Sequence, residues 1–367
     1  MPATPSPTRI ARRLLRSNLL GALTYPHGVD RYVEIVRPLL LSSEVRAEIV
    51  SVRHQTPKSV TLALRPNHNW EGFKPGQFVG LSVDIDGVRE TRSYSPASSP
   101  LSPDGLLEFT VSTHPEGKVS RHLRDHAAPG TIVGLTPADG EFLLPEPRPE
   151  RVLLISGGSG ITPVMSMLRT LCEEEYGGEI SFLNYARSPL YALYGAELAK
   201  LAKRNTHLRV ARGYTRGRGG QVAGRFCLDH VRNVASRHAD AATFVCGPPA
   251  LIDGVRQVWA VEGMPAPSVE TFTAPAFALD TDGATGTVSF TSAGRQTVNS
   301  GLPLLEQAED AGLEPNHGCR MGICNTCSCT KASGTVRNIL TGELSSAGEE
   351  QIRICVSVPV GDVALNL

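Results

Sequence analysis

Five short segments between residues 46 and 145 alternate apolar and polar positions in the manner of β-strands. They read AEIVSVRHQT, SVTLALRP, QFVGLSVDI, LLEFTVSTH and TIVGLTPADG. Alternation over so few residues, with turn residues between the segments, is typical of strands that bury one face. Short strands at regular spacing predict a small antiparallel β-barrel.

A different pattern begins at residue 151, where continuous apolar runs alternate with helical segments. In RVLLISGGSGITPVMSMLRTL (151–171), an apolar strand leads through a glycine turn into a helix. Further strands are predicted in EISFLNYARS (179–188), HLRVARGYT (207–215) and TFVCGPP (243–249). Continuous apolar runs are typical of buried parallel strands. The order predicts a nucleotide-binding α/β domain with its sites at the strand ends.

The last part of the chain changes pattern again. Residues 286–298, GTVSFTSAGRQTV, alternate like a hairpin, and residues 303–312, PLLEQAEDAG, have an early proline and a final glycine typical of a short helix. The chain is therefore predicted to fold as several domains of β and α/β class. The predicted boundaries are 1–45 for an N-terminal helical extension, 46–145 for the barrel, 146–275 for the α/β domain, 276–284 for a linker and 285–367 for a C-terminal domain.

Composition excludes several classes of protein. Of 367 residues, 41% are hydrophobic and 20% are charged, which is ordinary for a globular protein and argues against wholesale disorder. Thirty-six basic residues balance thirty-six acidic residues, so there is no bulk charge attraction to nucleic acid. No apolar run approaches the roughly 18–20 residues that span a bilayer.

The first residues predict a basic amphipathic helix. In TRIARRLLRSNLLGAL (8–23), apolar side chains recur near helical spacing among four arginines, and no small-residue cleavage site of a signal peptide follows. This helix is expected to pack on the protein, with docking to a membrane surface or a partner as the alternative. The predicted location is the cytoplasm, with peripheral contact at the inner face of the membrane as the alternative.

The segment HGCRMGICNTCSC (317–329) contains four of the eight cysteines. Cys319, Cys324 and Cys327 have the spacing C-x4-C-x2-C, and Cys355 follows after 27 intervening residues. This spacing matches the ligands of a plant-type [2Fe–2S] cluster. In a reducing cytoplasm, clustered thiols bind metals or carry out redox chemistry more often than they form disulfides.

Zinc is the alternative metal for this loop. A four-cysteine zinc site usually consists of two C-x2-C pairs, and the loop offers only Cys324 and Cys327 as one pair. Cys329 is interpreted as a non-ligand, because the register that would include it places the next ligand on Lys331 or Ala332.

Three upstream motifs could bind nucleotides. TRSYSPASS (91–99) places a cation, an aromatic ring and a hydroxyl on one strand, and GKVSRHL (117–123) offers a glycine and backbone amides at a helix start. The glycine turn after residue 156 can approach a phosphate, although Pro163 occupies the place of the third glycine of the dinucleotide fingerprint. Each motif alone is weak evidence, and their order along the chain strengthens the interpretation.

The motifs RSYS, GKVS, GGSGITP and CGPP, in this order, resemble the ferredoxin–NADP reductase superfamily, and the region from residue 284 resembles a fused plant-type ferredoxin with a β-grasp fold. The resemblance covers about residues 46–367. It implies that Arg92 binds a flavin phosphate, that Tyr94 stacks on the isoalloxazine ring and that Ser95 lies near its N5 atom. The residues expected to hold the pyrophosphate are Gly117, Val119 and Ser120.

The resemblance also implies a pyridine-nucleotide site lined by Gly158, Gly160, Ile161 and Thr162. Cys246 and Gly247 would lie beside the nicotinamide, so that Ser95 and Cys246 are the candidate catalytic residues. Phe272 is expected to cover the flavin, as the carboxyl-terminal aromatic residue does in the family; here it leads into a linker instead.

The predicted cofactors are FAD, a [2Fe–2S] cluster and NADPH. FAD is favoured over FMN because two separate phosphate-binding motifs suit a dinucleotide. NADPH is favoured over NADH because a basic pocket could pair with a 2′-phosphate. Its residues are Arg187, Ser188, Arg212 and Arg216.

The resemblance implies an oxidoreductase that passes electrons from NAD(P)H through the flavin and the cluster to an external acceptor. YPHGVDRYVEIVRPLL (25–40) is similar to the extension of bacterial fused reductases that serve membrane acyl-CoA desaturases, so fatty acid desaturation is the favoured context. A di-iron or other non-haem oxygenase, a ring-hydroxylating dioxygenase and a P450 are alternative acceptors. A redox-sensing module without steady turnover and a zinc-stabilised flavoprotein are the alternative functions.

Overall fold

The structure is a computed structural model that describes residues 44–114, 117–235, 237–272, 283–317, 322, 326–346 and 348–367. The predicted N-terminal extension, apart from its last two residues, and most of the predicted linker lie outside these residues, as do Cys319 and Cys324. The chain divides into two compact units, 1–244 and 245–367, and the predicted domain boundaries stay predictions.

The first sheet corresponds to the predicted antiparallel barrel, and each of the five predicted segments coincides with most or all of one of its six strands. Its core forms because apolar positions of neighbouring strands face each other: Leu62 lies opposite Phe109, and Ile49 lies opposite Leu64. All four side chains are fully buried. The elements are β1 (Val45–Thr56), β2 (Ser59–Pro66), β3 (Val79–Ile85), β4 (Val88–Tyr94), β5 (Leu107–Ser112), α1 (Lys118–His126) and β6 (Ile132–Leu135), with sheet order β4-β3-β6-β1-β2-β5.

The second sheet is the predicted parallel sheet. Val152, Leu153, Leu154 and Ile155 of its first strand are almost completely buried, which explains the continuous apolar run. The elements are β7 (Arg151–Gly157), α2 (Ile161–Glu173), β8 (Glu179–Ala186), α3 (Gly195–Arg204), β9 (Leu208–Tyr214), β10 (Val222–Ala223), α4 (Leu228–Val234), β11 (Ala242–Cys246), α5 (Pro249–Val261) and β12 (Ser268–Glu270), with sheet order β10-β9-β8-β7-β11-β12.

The C-terminal sheet confirms the predicted hairpin and short helix. Its first strand pairs in parallel with its last, so that Val288 lies opposite Val363 and Phe290 lies opposite Leu365, and these side chains are buried. The elements are β13 (Thr287–Phe290), β14 (Arg295–Val298), α6 (Leu304–Asp310), β15 (Ser328–Asn338), β16 (Leu344–Ser345), β17 (Glu350–Arg353) and β18 (Ser357–Leu365). The sheet order is β14-β13-β18-β15-β16, and β17 pairs with β15.

Among the described residues, no helix is both long enough and apolar enough to cross a membrane.

Candidate redox site

The end of β4 and the start of α1 lie side by side, which brings two of the predicted phosphate-binding motifs together. Glu90 connects them: its Oε1 is 3.1 Å from Lys118 Nζ, and its Oε2 is 3.5 Å from Arg92 Nη1. Arg92 also donates to the Thr91 carbonyl at 2.7 Å. A bound phosphate would therefore meet two cations whose positions are already restrained by one carboxylate.

Tyr94 is the last residue of β4, and Ser95 follows it directly. The ring of Tyr94 packs against the barrel core, and its burial raises the pKa of the phenol, so the hydroxyl stays protonated. Ser95 is only 2% exposed, and its Oγ has no hydrogen-bond partner among the described residues. A buried hydroxyl without a partner destabilises a fold by about 1–3 kcal/mol. A planar ring with a polar edge, such as a flavin, fits this pair because it would satisfy the hydroxyl.

The start of α1 is shaped by a close contact between Gly117 and Ser120. A Cβ atom at Gly117 would collide with Ser120 Oγ, so a side chain there would displace the serine. Ser120 Oγ donates to the Gly117 carbonyl at 3.2 Å, and Val119 anchors the helix in the barrel core. The first amides of a helix have no acceptor within it, so they can bind an anion such as a pyrophosphate.

The glycine turn between β7 and α2 confirms the strand–turn–helix prediction. Residues Gly158–Gly160 form a short 3-10 turn, and Gly158 has a φ of +57°, which favours glycine. A Cβ atom placed on Gly158 would meet nothing within 4 Å. Ile161 and Thr162 are buried at the start of α2, and the Thr162 hydroxyl donates to the Ser159 carbonyl at 3.2 Å. The turn thus combines a rigid base with open space for a ligand.

The predicted basic pocket lies where β8 and β9 end. The Arg216 amide donates to the Arg187 carbonyl at 2.9 Å, so two of its arginines are neighbours although 29 positions separate them in the chain. Both side chains are exposed, and Ser188 is half-buried. Arg212 is half-buried on β9, with its guanidinium 3.5 Å from the Gly195 carbonyl.

In the second unit, Cys246 lies beside a carboxyl group that sequence analysis missed. Cys246 is fully buried, and its Sγ is 4.0 Å from Glu270 Oε2. Burial raises the pKa of Glu270 to about 8, and burial together with Glu270 raises the pKa of the Cys246 thiol. Both groups are therefore protonated near neutral pH. The sequence offered one signal for Glu270, namely that this acidic residue stands two positions before the candidate flavin-covering residue Phe272. Phe272 is half-buried.

Replacing Glu270 with glutamine is expected to stabilise the protein in a pH-dependent way. Below about pH 4.5 the carboxyl is protonated in both folded and unfolded chains, so the variant gains nothing from this group's titration. Between pH 4.5 and about 8 only the unfolded chain ionises, and the wild type loses about 1.4 kcal/mol per pH unit relative to the variant. Above pH 8 the difference in the free energy of unfolding between the two proteins is constant.

Denaturant unfolding of both proteins from pH 5 to 9 measures this difference. The exposed Glu306→Gln is the matched control in the same unit. A stability difference that does not change with pH would show that the Glu270 carboxyl is already ionised in the folded protein at pH 5.

Two of the four predicted cluster ligands are described, and the structure brings them together. Cys327 Sγ and Cys355 Sγ are 3.1 Å apart and buried, although 27 residues separate them. A disulfide would require about 2.05 Å. Two buried, reduced thiols in contact fit a metal centre that both can ligate. The Ile354 amide donates to the Cys327 carbonyl at 3.2 Å and holds the two segments in register.

The predicted non-ligand cysteine has a different environment. Cys329 lies on β15 with its Sγ 3.6 Å from the Thr330 carbonyl, and burial raises the pKa of its thiol. Gly322 of the cysteine loop has a φ of +71°, and its carbonyl accepts a hydrogen bond from Arg353, two residues before Cys355. The loop and the strand that precedes the last cysteine are therefore joined directly.

Three family models match the chain in the predicted order. They are an oxidoreductase FAD-binding domain at residues 47–143, an oxidoreductase NAD-binding domain at 154–257 and a 2Fe-2S iron-sulfur cluster binding domain at 290–360. The last match decides against the zinc alternative. The three domains make the chain an NAD(P)H-dependent oxidoreductase that uses FAD and a [2Fe–2S] cluster.

Whole-length relatives support the same assignment. An NADPH oxidoreductase of Mycobacterium tuberculosis is 35% identical over 358 residues, which is 95% of this chain and 91% of the relative. A glycine betaine monooxygenase reductase subunit of Pseudomonas aeruginosa is 30% identical over 80% of this chain and 87% of its own length. The crystal structure of a phthalate dioxygenase reductase has the same fold, with a TM-score of 0.60, 22% identity and coverage of 89% of this chain and 98% of that one. The chain belongs to the ferredoxin–NADP reductase superfamily, among the members whose flavoprotein is fused to a plant-type [2Fe–2S] ferredoxin domain.

Proposed function

We propose that the protein takes electrons from NADPH and delivers them one at a time to an external oxygenase, with a membrane acyl-CoA desaturase as the first candidate. The observation that carries the proposal is the order of the three matched domains, which follows the path from a two-electron donor to a one-electron carrier. When bound, the flavin supplies the exchange between a hydride and single electrons, and the cluster supplies one-electron transfer.

On the barrel, Arg92 would neutralise a flavin phosphate, and Tyr94 would stack on the ring. The buried Ser95 hydroxyl would donate to the ring edge near N5, which orients the ring and gives this hydroxyl its missing partner. The amides at the start of α1 would hold the pyrophosphate, with Gly117, Val119 and Ser120 forming the cradle.

On the parallel sheet, Gly158, Gly160, Ile161 and Thr162 would hold the pyridine nucleotide against the start of α2. The roles of Cys246, Gly247 and Phe272 in the second unit stay predictions from the resemblance. Glu270 adds a carboxyl group that holds its proton at neutral pH beside the Cys246 thiol.

In the ferredoxin domain, Cys327 and Cys355 would ligate the cluster together with Cys319 and Cys324. The contact between the two described sulfurs supports the first pair. The other two ligands rest on the spacing of the loop.

The preference for NADPH rests on the basic pocket at the end of β8 and β9. Replacing Arg187 and Arg216 together with alanine is expected to raise the KM for NADPH by more than roughly 100-fold, because two charge-assisted hydrogen bonds to the phosphate are lost and each is worth about 1.5–3 kcal/mol. The KM for NADH should stay unchanged. Steady-state cytochrome c reduction with each nucleotide measures this change.

Arg209 offers the matched control for that experiment. It is an exposed arginine near the start of β9, at the end of the strand opposite to the proposed pocket. Arg209→Ala should leave both KM values unchanged. Equal effects of the double variant on NADPH and NADH would contradict recognition of the 2′-phosphate.

The nature of the acceptor is supported by the relatives. Proteins at about 30% identity are named as reductase components of glycine betaine monooxygenase and 3-ketosteroid-9-alpha-monooxygenase. The similarity of residues 25–40 to the extension of desaturase reductases favours a desaturase as the first acceptor to test. Peripheral membrane contact through the basic helix predicted from the sequence of residues 8–23 is part of the same proposal.

Reconstitution with a membrane desaturase and an acyl-CoA substrate tests the acceptor. The expected result is NADPH-dependent formation of the unsaturated product, which weakens when residues 1–40 are deleted while cytochrome c reduction is retained. Product formation only with a soluble oxygenase would replace the desaturase by that class. If NADPH reduced the protein but the protein did not pass electrons on to any acceptor over multiple turnovers, the redox-sensing function would be favoured.

A further inference from the structure

One helix of the first unit contacts both predicted ligand sites. Helix α2 begins at the glycine turn Gly158–Gly160, and its middle faces the short segment 97–99, which starts two residues after Ser95. Ser166, Arg169 and Thr170 are spaced i, i+3 and i+4, which places them on one face of the helix. This face makes polar contacts to each of the three residues of the segment 97–99.

Two of these contacts are made by buried hydroxyl groups. Ser166 Oγ donates to the Ser98 carbonyl at 2.7 Å, and the hydroxyl oxygens of Thr170 and Ser99 are 3.2 Å apart. All four residues are buried. On its other side the segment is bonded to β5, because the Glu108 amide donates to Ser98 Oγ at 3.0 Å. The segment is therefore held between a strand of the barrel and a helix of the parallel sheet.

Arg169 makes the third contact and is itself held rigidly. Its Nη1 donates to the Ala97 carbonyl at 2.7 Å and lies 3.0 Å from Glu108 Oε1. Its Nε and Nη2 form a two-point pair with Glu197 of α3, at 2.7 and 2.8 Å. Its guanidinium also lies over the ring of Tyr194, 5.2 Å from the centroid. A planar guanidinium with this many partners has one orientation, so the Ala97 carbonyl has one position.

Tyr194 ties the same region to the barrel a second time. Its hydroxyl is 2.5 Å from Thr110 Oγ1, and its amide donates to Gln55 Oε1 at 2.9 Å. Gln55 in turn donates to Thr61 Oγ1 at 2.7 Å. Tyr194, which lies against the Arg169 guanidinium, is thus bonded directly or through Gln55 to strands β1, β2 and β5. This polar network fixes the position of α2 relative to the barrel.

We propose that the α2 face formed by Ser166, Arg169 and Thr170 is a positioning element for hydride transfer. It fixes the segment that follows Ser95 relative to the glycine turn that begins the same helix. This inference rests on the proposed roles of Ser95 in the flavin site and of the glycine turn in the nucleotide site. Hydride transfer needs reacting atoms about 3–3.5 Å apart, and a misplacement of about 1 Å can lower a rate by about 100-fold.

The test compares binding with hydride transfer in the full-length holoprotein. The variants are Ser166→Ala with Thr170→Val, which removes two hydroxyls at nearly constant volume, and separately Arg169→Lys, which keeps the charge but not the two-point pair. Anaerobic stopped-flow mixing with NADPH measures the rate of flavin bleaching, the nucleotide Kd and the long-wavelength charge-transfer absorbance of the nucleotide–flavin complex. FAD content and the melting temperature are measured on the same samples.

The expected result is a rate of flavin bleaching lowered by roughly 10- to 100-fold and a weakened charge-transfer absorbance, with FAD content and the nucleotide Kd within about twofold of the wild type. The matched control is Arg148→Lys, since Arg148 forms a similar two-point pair with Glu174 at the other end of α2, at 2.7 and 3.1 Å, without touching the segment 97–99. The control should have a lower melting temperature but the wild-type charge-transfer absorbance and the wild-type rate of flavin bleaching.

Two results would overturn the inference while leaving the proposed function intact. The first is variant proteins that fold, bind FAD and bleach at the wild-type rate. The second is a rate loss matched by loss of FAD or by a proportional rise in Kd, which would make the contacts purely structural. A wild-type protein whose flavin is bleached by neither nucleotide would instead overturn the proposed function, and this inference with it.

Discussion

Replacing Cys355 with alanine is expected to give a yellow protein that binds FAD and is still reduced by its nucleotide but carries almost no iron. The wild type should contain about two iron atoms and two inorganic sulfides per chain. The substitution removes one of two buried sulfurs that lie 3.1 Å apart, so the remaining cysteines cannot complete the ligand set. Reduction of cytochrome c should fall to the slow background of direct transfer from the flavin.

Cys329→Ala is the matched control for this prediction. Cys329 is also a buried cysteine of the ferredoxin domain, and its sulfur faces a backbone carbonyl. The control should keep its iron, its red-brown colour and its electron-transfer rate. Loss of iron in Cys329→Ala together with retention in Cys355→Ala would exchange the proposed roles of the two cysteines.

Replacing Ser95 with alanine is expected to slow hydride transfer and to stabilise the FAD-depleted protein. The buried hydroxyl has no partner among the described residues, so its removal should increase the free energy of unfolding by roughly 1 kcal/mol. With the flavin bound, the same change would remove the proposed donor at the reacting edge of the ring, and loss of one such donor lowers a rate by roughly 100-fold. Anaerobic stopped-flow reduction and denaturant unfolding measure the two effects.

Ser181→Ala provides the contrast. Ser181 is also a buried serine, but its hydroxyl donates to the Val234 carbonyl at 3.0 Å. Its removal should lower the free energy of unfolding and leave the rate of hydride transfer unchanged. If Ser95→Ala behaved like Ser181→Ala, the Ser95 hydroxyl would be a structural group, and its proposed role toward the flavin would be wrong.

The predictions for Ser95 and Glu270 share one physical basis. Proteins often retain an unfavourable local arrangement where function requires it, and the rest of the fold compensates for it. The Ser95 hydroxyl, which has no partner in the part of the chain that the structure describes, and the protonated, buried Glu270 are both unfavourable without a ligand. A bound ligand that contacts these two groups would explain why the fold retains them.

Local sequence patterns were sufficient for much of the fold. Alternation with period two located five of the six strands of the barrel sheet, and continuous apolar runs located β7, β8, β9 and β11 of the parallel sheet, because side-chain burial follows backbone periodicity over a few residues. The order of the motifs and the spacing of the cysteines were sufficient for the family, as the three matched domains confirm. The roles of the individual site residues stay predictions, and those of Cys319 and Cys324 lie outside the described residues.

The sequence by itself therefore determined most strands of the first two sheets, the hairpin and short helix of the C-terminal domain, the order of the domains and the chemical groups available to each site. Only the tertiary structure decided which distant groups meet: Glu270 beside Cys246, Cys355 beside Cys327, and the Arg169 face of α2 on the segment 97–99. These partners are between 24 and 72 positions apart in the chain. Periodicity and spacing report short-range geometry, whereas such contacts depend on how whole strands and helices pack, which no short stretch of sequence encodes.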